Sequence, residues 1–141
     1  MTPEGKQKLK SLLVKSEAYK QFPYTDTTGH LTVGIGRNLT NRGISVTEAL
    51  YLLGDDIFYF SGKLATYLSY FDELSENRQI VLIDMCFNLG LNGLLNFKNM
   101  INALEQHDYN AAADEILNSK AALQTGERYH ILANIMRTGE L

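Results

Sequence analysis

The chain has 141 residues, of which 45% are hydrophobic and 21% charged, a length and composition typical of one soluble globular domain with a buried core. One cysteine and two prolines exclude the disulfide-rich and low-complexity classes. The net charge of −3 divides into +4 over residues 1–42 (seven basic, three acidic) and −7 over residues 43–141 (six basic, thirteen acidic). This acidic overall charge and the lack of a basic–aromatic motif argue against nucleic-acid binding.

The first predicted element is a helix that begins at Thr2-Pro3. A hydroxyl residue at the cap followed by proline at the first helical position favours a helix start. Leucines then recur at helical spacing on one side. We expect the helix to end between Glu17 and Lys20, shortly before Pro23.

A small β-hairpin is predicted next. Residues 24–30 are rich in turn formers, and Gly29 is available for a positive φ. Residues 31–36 are rich in β-branched side chains and predict a strand. This arrangement puts Asp26 at the entrance to the hairpin and Thr32 on its second strand.

The remainder of the chain is predicted to be helical. Ser45 and Glu48 have the spacing of a capping box, which predicts the start of a helix that runs to about residue 70, with Gly54 and Gly62 as points where it would bend or break. Residues 76–89 are apolar on nearly every side, so that helix should be buried, with Cys86 as a small core residue, and Gly90 should end it. Further helices are expected near residues 96–106, 109–118 and 127–137.

Glu17, Asp26 and Thr32 are the candidate catalytic residues. Glycoside hydrolysis commonly needs two carboxyl groups across the scissile bond, one as acid and one to assist from the other face. The end of a helix and the following hairpin can hold two such groups on opposite walls of a cleft, with a threonine to orient a water. The spacing alone is weak evidence, because Glu and Asp nine positions apart are common surface charges.

The sequence around these residues strongly resembles that of phage lysozymes, the muramidases of glycoside hydrolase family 24. The catalytic segment of that family is the most specific part of the resemblance. Weaker similarities follow in the family's order and together extend over essentially the whole chain. The similar segments are residues 17–19, 24–39, 42–53, 85–90, 124–128 and 136–139.

The resemblance implies an α+β, mostly helical lysozyme-like fold for residues 1–141 as one domain. A small N-terminal β-hairpin lobe (about 18–44) and a larger helical lobe (about 45–141, with the N-terminal helix) would enclose a cleft. It also implies hydrolysis of the β-1,4 bond between N-acetylmuramic acid and N-acetylglucosamine, with inversion of configuration. In that scheme Glu17 is the general acid, Asp26 the second carboxylate and Thr32 the hydroxyl that completes the site.

Phe87, Asn88 and Arg128 match residues that bind the saccharide or lie near the acid in that family. Other interpretations stay open: core packing for Phe87, a polar helix end for Asn88 and a surface position in a first helical turn for Arg128. Asp84 lies within the apolar helix, where a lone charge is costly, so we expect it to have a partner, with Arg128 as the candidate. The three histidines lack metal-ligand spacing, so neither a metal nor another cofactor is expected.

The expected partner is bacterial peptidoglycan, with no nucleic acid and no stable membrane insertion. Residues 1–6 are polar and no signal-peptide core is evident, so we expect synthesis in a host cytoplasm and a holin that gives access to the cell wall or periplasm. A monomer is expected. Two alternatives remain: a lytic transglycosylase, which needs no second carboxylate, and a non-catalytic glycan-binding module on the same fold.

Overall fold

The computed structural model describes all 141 residues as a mostly helical α+β protein, which confirms the predicted fold class. It contains seven α-helices, one 3-10 turn and a three-stranded antiparallel sheet in the order β1-β2-β3. The elements in chain order are α1 (Pro3–Glu17), β1 (Lys20–Thr25), β2 (Leu31–Gly34), β3 (Arg37–Asn38), α2 (Val46–Tyr67), a 3-10 turn (Phe71–Glu73), α3 (Glu76–Leu95), α4 (Lys98–Glu105), α5 (Tyr109–Leu117), α6 (Lys120–Thr125) and α7 (Glu127–Thr138).

The chain divides into two compact units, Met1–Leu52 and Leu53–Leu141. The first unit contains α1, the sheet and the start of α2. The second contains the remainder of α2 and all later elements. Every buried apolar side chain belongs to the second unit.

Helix α1 begins and ends where the sequence predicts. The Thr2 hydroxyl accepts a hydrogen bond from the Gly5 N–H at 3.0 Å and thereby caps the first turn. The helix ends at Glu17, because Ala18 adopts a φ of +60° that does not continue it. The candidate acid is therefore the last helical residue.

Strand β1 runs over Lys20–Thr25 although it contains Pro23, a residue that is unfavourable in a strand interior. It lies at the edge of the sheet and pairs with β2 at Lys20↔Gly34 and Tyr24↔Thr32, with an irregularity in between that accommodates Pro23. The second predicted strand stops at Gly34, two residues early. A turn then leads into the short β3.

The start of α2 is the predicted capping box. The Glu48 N–H donates to the Ser45 hydroxyl at 3.1 Å, and the Ser45 N–H donates to the Glu48 carboxylate at 3.0 Å. Arg37 from β3 forms an ion pair with Glu48 and donates to the Gly43 carbonyl at 3.1 Å. The helix then runs unbroken to Tyr67, so Gly54 and Gly62 do not interrupt it.

Helix α3 supplies much of the core of the second unit, as its apolar sequence predicts. Cys86 is buried there, and burial raises the pKa of its thiol to about 11. Gly90 has a φ of +73° and breaks the helical geometry, although helical turns resume as far as Leu95. Helix α7 packs against α3, α5 and α6, and α4 packs against α5. The short α6 and the 3-10 turn were not predicted.

The C-terminal end of α7 is capped by side chains from the first turn of α3. Arg78 donates to the carbonyl of Met136 at 2.8 Å, and Asn77 donates to that of Gly139 at 2.9 Å. These contacts satisfy carbonyls that the helix end leaves free.

No single helix has both the length and the apolar character required to cross a membrane. Only α3 and α4 taken together meet these criteria, by length and composition alone, and a bend of 93° separates them.

Candidate active site

Asp26 forms the first corner of the hairpin turn. Its N–H donates to the His30 carbonyl at 2.9 Å, and its carbonyl accepts from the Gly29 N–H at 3.1 Å. Gly29 has a φ of +86°, a conformation that glycine adopts without strain. An aspartate followed three residues later by glycine is a local turn pattern, so this part of the site follows from the sequence.

The two oxygens of the Asp26 carboxylate have different surroundings. Oδ1 accepts three hydrogen bonds, from the Thr28 N–H at 2.9 Å, the Thr28 hydroxyl at 2.7 Å and the His30 N–H at 2.9 Å. Oδ2 accepts none from the protein, and the His30 ring nitrogen Nδ1 lies 3.8 Å from it. One oxygen is thus held by the turn while the other is available to a water or a substrate.

These hydrogen bonds also affect the ionisation of Asp26. The hydrogen bond from the His30 backbone N–H, followed by that from the Thr28 hydroxyl, lowers the pKa of the carboxyl group below its ordinary value of 3.8. Asp26 therefore favours the ionised form, which suits a base or an electrostatic stabiliser rather than an acid.

Thr32 lies on β2 beside the same turn, and its side chain is buried. Its hydroxyl donates to the His30 carbonyl at 3.1 Å, the same carbonyl that accepts from the Asp26 N–H. Thr32 and Asp26 are thereby held at one end of the hairpin. Because the hydroxyl proton is engaged, the oxygen retains only acceptor capacity for a further partner.

Glu17 lies against the turn between β2 and β3. A Cβ built on Gly36 would lie only 2.8 Å from Oε2 and 2.9 Å from Cδ of Glu17. The carboxyl group thus occupies space that any residue larger than glycine would need. Gly36 also has a φ of +68°, which favours glycine independently of this contact.

Phe87 and Arg128 belong to the second unit, where both line an apolar cavity of about 350 Å³. Arg128 donates to the Asp84 carboxylate through Nε at 2.8 Å and forms the ion pair expected from the sequence. Phe87 is 39% exposed and packs against Phe60 at 5.3 Å between ring centroids. It therefore lies at the cavity surface and not in the buried core.

Asn88 is next to Phe87 on α3, and its side chain contacts Tyr129 of α7. Its side-chain oxygen accepts a hydrogen bond from the hydroxyl of the buried Tyr129 at 2.8 Å. Burial raises the pKa of that hydroxyl. Asn88 is itself exposed, so its amide N–H groups remain available to solvent or ligand.

Three residues around the carboxyl groups were not singled out from the sequence: Thr28, His30 and Gly36. Thr28 is detectable in principle, because a residue two positions after an aspartate often donates its N–H to the aspartate side chain. The role of the His30 ring and the contact between Glu17 and Gly36 have no local signal. Among His, Cys, Asp and Glu side chains, no group of three or more is arranged to hold a metal ion.

Comparison with known proteins identifies the family. The Phage lysozyme family model matches residues 14–137. Two Dictyostelium discoideum proteins, described as Probable T4-type lysozyme 2 and Probable T4-type lysozyme 1, are each 26% identical to this chain over 162 aligned positions, which cover 94% of this chain and 95% of theirs.

The chain belongs to the phage lysozyme family. Membership confirms the resemblance seen in the sequence and makes the protein a muramidase-like peptidoglycan hydrolase, that is, a glycosidase.

Proposed function

We propose that this protein hydrolyses the β-1,4 bond between N-acetylmuramic acid and N-acetylglucosamine in bacterial peptidoglycan, with inversion at the anomeric carbon. Glu17 acts as general acid, Asp26 as general base and Thr32 as a ligand of the attacking water. The observation that carries this proposal is the asymmetry of Asp26, whose Oδ1 accepts three hydrogen bonds while Oδ2 accepts none.

The division of roles follows from the ionisation of Asp26. Of the two carboxyl groups, Asp26 with its lowered pKa is the less suited to donate a proton, so we assign the general acid to Glu17. Asp26 instead takes a proton from water at Oδ2. The Thr32 oxygen, whose own proton goes to the His30 carbonyl, accepts the second hydrogen of that water.

The reaction transfers two protons. Glu17 donates its proton to the glycosidic oxygen as the bond from that oxygen to the anomeric carbon breaks. A water loses a proton to Asp26 and adds to the opposite face of the same carbon, which inverts the configuration. Inversion requires carboxyl groups about 6.5–9.5 Å apart, so that a water fits between the base and the sugar.

Phe87, Asn88 and Arg128 are proposed to bind the glycan. The exposed part of the Phe87 ring offers an apolar surface to a sugar face, and the free amide N–H groups of Asn88 can donate to hydroxyl or acetamido oxygens. Arg128 keeps unpaired guanidinium donors beyond those that bind Asp84.

The biological role we propose is lysis of a host cell by a monomeric enzyme. It would be made in the host cytoplasm and reach the wall or periplasm once a holin opens the membrane. Phage lysozyme family membership supports this role, and permeabilising the inner membrane of expressing cells would test the delivery step.

The test of the activity is release of reducing ends from purified peptidoglycan by the wild type, Glu17→Gln and Asp26→Asn. Glu4→Gln and Asp55→Asn, at exposed carboxyl groups, serve as matched controls. We expect activity in the wild type and controls, loss in Glu17→Gln and a large reduction in Asp26→Asn. General acid–base catalysis contributes about 100- to 10,000-fold, which sets the size of these losses.

Product analysis separates the alternatives. NMR of freshly formed products should show the α-anomer first if the enzyme inverts. Anhydromuramic ends in the mass spectrum would instead identify a lytic transglycosylase. A folded wild type that binds peptidoglycan but releases no ends would contradict the proposal and leave a glycan-binding module.

A further inference from the structure

The side chains of Thr28 and His30 form a connected array with Asp26. The Thr28 hydroxyl contacts Asp26 Oδ1 at 2.7 Å and His30 Nδ1 at 2.7 Å. The other ring nitrogen of His30, Nε2, lies 3.2 Å from the side-chain nitrogen of Asn41. Asn41 is in turn tied to β3, since its N–H donates to the Asn38 side chain at 2.9 Å.

The direction of each hydrogen bond in this array follows from the chemistry of the groups. An ionised carboxylate only accepts, so the Thr28 hydroxyl must give its single proton to Asp26. Its contact with His30 then requires Nδ1 to be the donor. Neutral His30 therefore carries its proton on Nδ1 and accepts through Nε2 from the Asn41 amide.

We propose that Thr28 and His30 are positioning residues for Asp26, whose side chains hold Oδ1 in the turn and leave Oδ2 directed to the attacking water. The proposal rests on the proposed function and adds two residues to that site.

The need for such positioning follows from the exposure of the carboxyl group. The side chains of His30 and Asp26 are 34% and 31% exposed, so packing alone does not fix the rotation of the carboxylate. Two backbone N–H groups donate to Oδ1, and the Thr28 hydroxyl, which also contacts the His30 ring, is the third donor. His30 is the titratable side chain within ion-pair distance of Asp26, with Nδ1 lying 3.8 Å from Oδ2.

The experiment removes each side-chain donor without removing the backbone donors. Thr28→Val deletes the hydroxyl at nearly constant shape, whereas Thr28→Ser retains it. Thr27→Val makes the same change as Thr28→Val at the exposed neighbouring residue. His30→Leu removes the ring donor, and His30→Asn places an amide N–H near the position of Nδ1. Folding of each variant is checked by circular dichroism, and kcat and KM on soluble glycan fragments are measured against pH.

We expect Thr28→Val to lower kcat by roughly tenfold with little change in KM, since a group misplaced by about 1 Å costs up to about 100-fold. Loss of the hydroxyl should also raise the pKa of Asp26, so the acid limb of the kcat profile moves to higher pH. His30→Leu should act in the same direction, less strongly. Thr28→Ser and His30→Asn should recover most of the wild-type behaviour, and Thr27→Val should match the wild type.

The outcomes separate this proposal from the function on which it rests. An active wild type whose Thr28→Val and His30→Leu variants keep both kcat and the acid limb overturns the positioning role alone. A wild type that releases no reducing ends overturns the proposed function and the positioning role with it. If kcat falls as far in Thr28→Ser as in Thr28→Val, that result also counts against the proposal, because loss of the hydroxyl would then not be responsible.

Discussion

Replacing Gly36 by alanine should impair activity more than stability, because the new methyl group would meet the candidate acid. The added Cβ would lie 2.8 Å from Oε2 of Glu17, and an ordinary non-bonded separation is about 3.5 Å, so the carboxyl group must move by about 0.7 Å. Since misplacement by about 1 Å costs up to about 100-fold, we expect kcat to fall by roughly 10- to 100-fold.

Gly34→Ala is the matched control for this experiment. Gly34 has a φ of +70°, close to the +68° of Gly36, but an added Cβ there would meet nothing within 4 Å. Both variants should lose about 1–2 kcal/mol of unfolding free energy from the positive φ. That loss corresponds to a decrease in Tm of roughly 3–8 °C.

The assay compares thermal melting, followed by circular dichroism, with the rate of reducing-end release from peptidoglycan. We expect similar Tm values for the two variants and a large difference in kcat, with Gly34→Ala near the wild type. Equal activity in the two variants would refute the reasoning, because it would mean that the position of Glu17 against Gly36 does not matter for catalysis.

Three further predictions concern stability. Hydrogen bonds, above all the one from the Ser45 N–H, lower the pKa of Glu48 from 4.5 to about 2. The ionised carboxylate therefore stabilises the folded state fully above pH 4.5, and this stabilisation is lost as the pH falls towards 2. Glu48→Gln should therefore flatten the urea midpoint against pH in that window, and an unchanged slope would contradict this. Asn88→Ala should lower the free energy of unfolding by about 1–3 kcal/mol and Tyr129→Phe by about 0.5–1.5 kcal/mol, because only Asn88→Ala leaves a buried hydroxyl without a hydrogen-bond partner. Equal losses in urea denaturation would argue against this. Asp84→Asn should cost at most about 1 kcal/mol, since the ion pair is 40% and 38% exposed, and a loss above about 2 kcal/mol would show a larger role.

The parts of the structure that could be predicted from the amino-acid sequence are those formed between groups three or four residues apart. The Thr2 cap, the capping box of Ser45 and Glu48, and the turn from Asp26 to Gly29 each connect groups within one turn of chain. The sequence also predicts the pairing of Asp84 with Arg128, because an acidic side chain in an apolar helix needs a partner of opposite charge.

Contacts between groups distant in sequence could not be predicted in this way, because they depend on how the helices and strands pack. Glu17 meets Gly36 because the pairing of β1 with β2 brings the end of α1 to the following turn. Asn88 meets Tyr129 because α3 packs against α7. Strand β1 forms despite Pro23 because an edge strand leaves room for a residue without an N–H.

The surroundings of Asp26 combine local hydrogen bonds, which the sequence predicts, with contacts across the sheet, which it does not. The local turn supplies the backbone donors to Oδ1, whereas the place of the His30 ring between Thr28 and Asn41 depends on β2 and β3 lying side by side. A local hydrogen bond needs only a few fixed backbone angles, which a short sequence can specify. A contact across the sheet depends on register, and register is set by the pairing of whole strands.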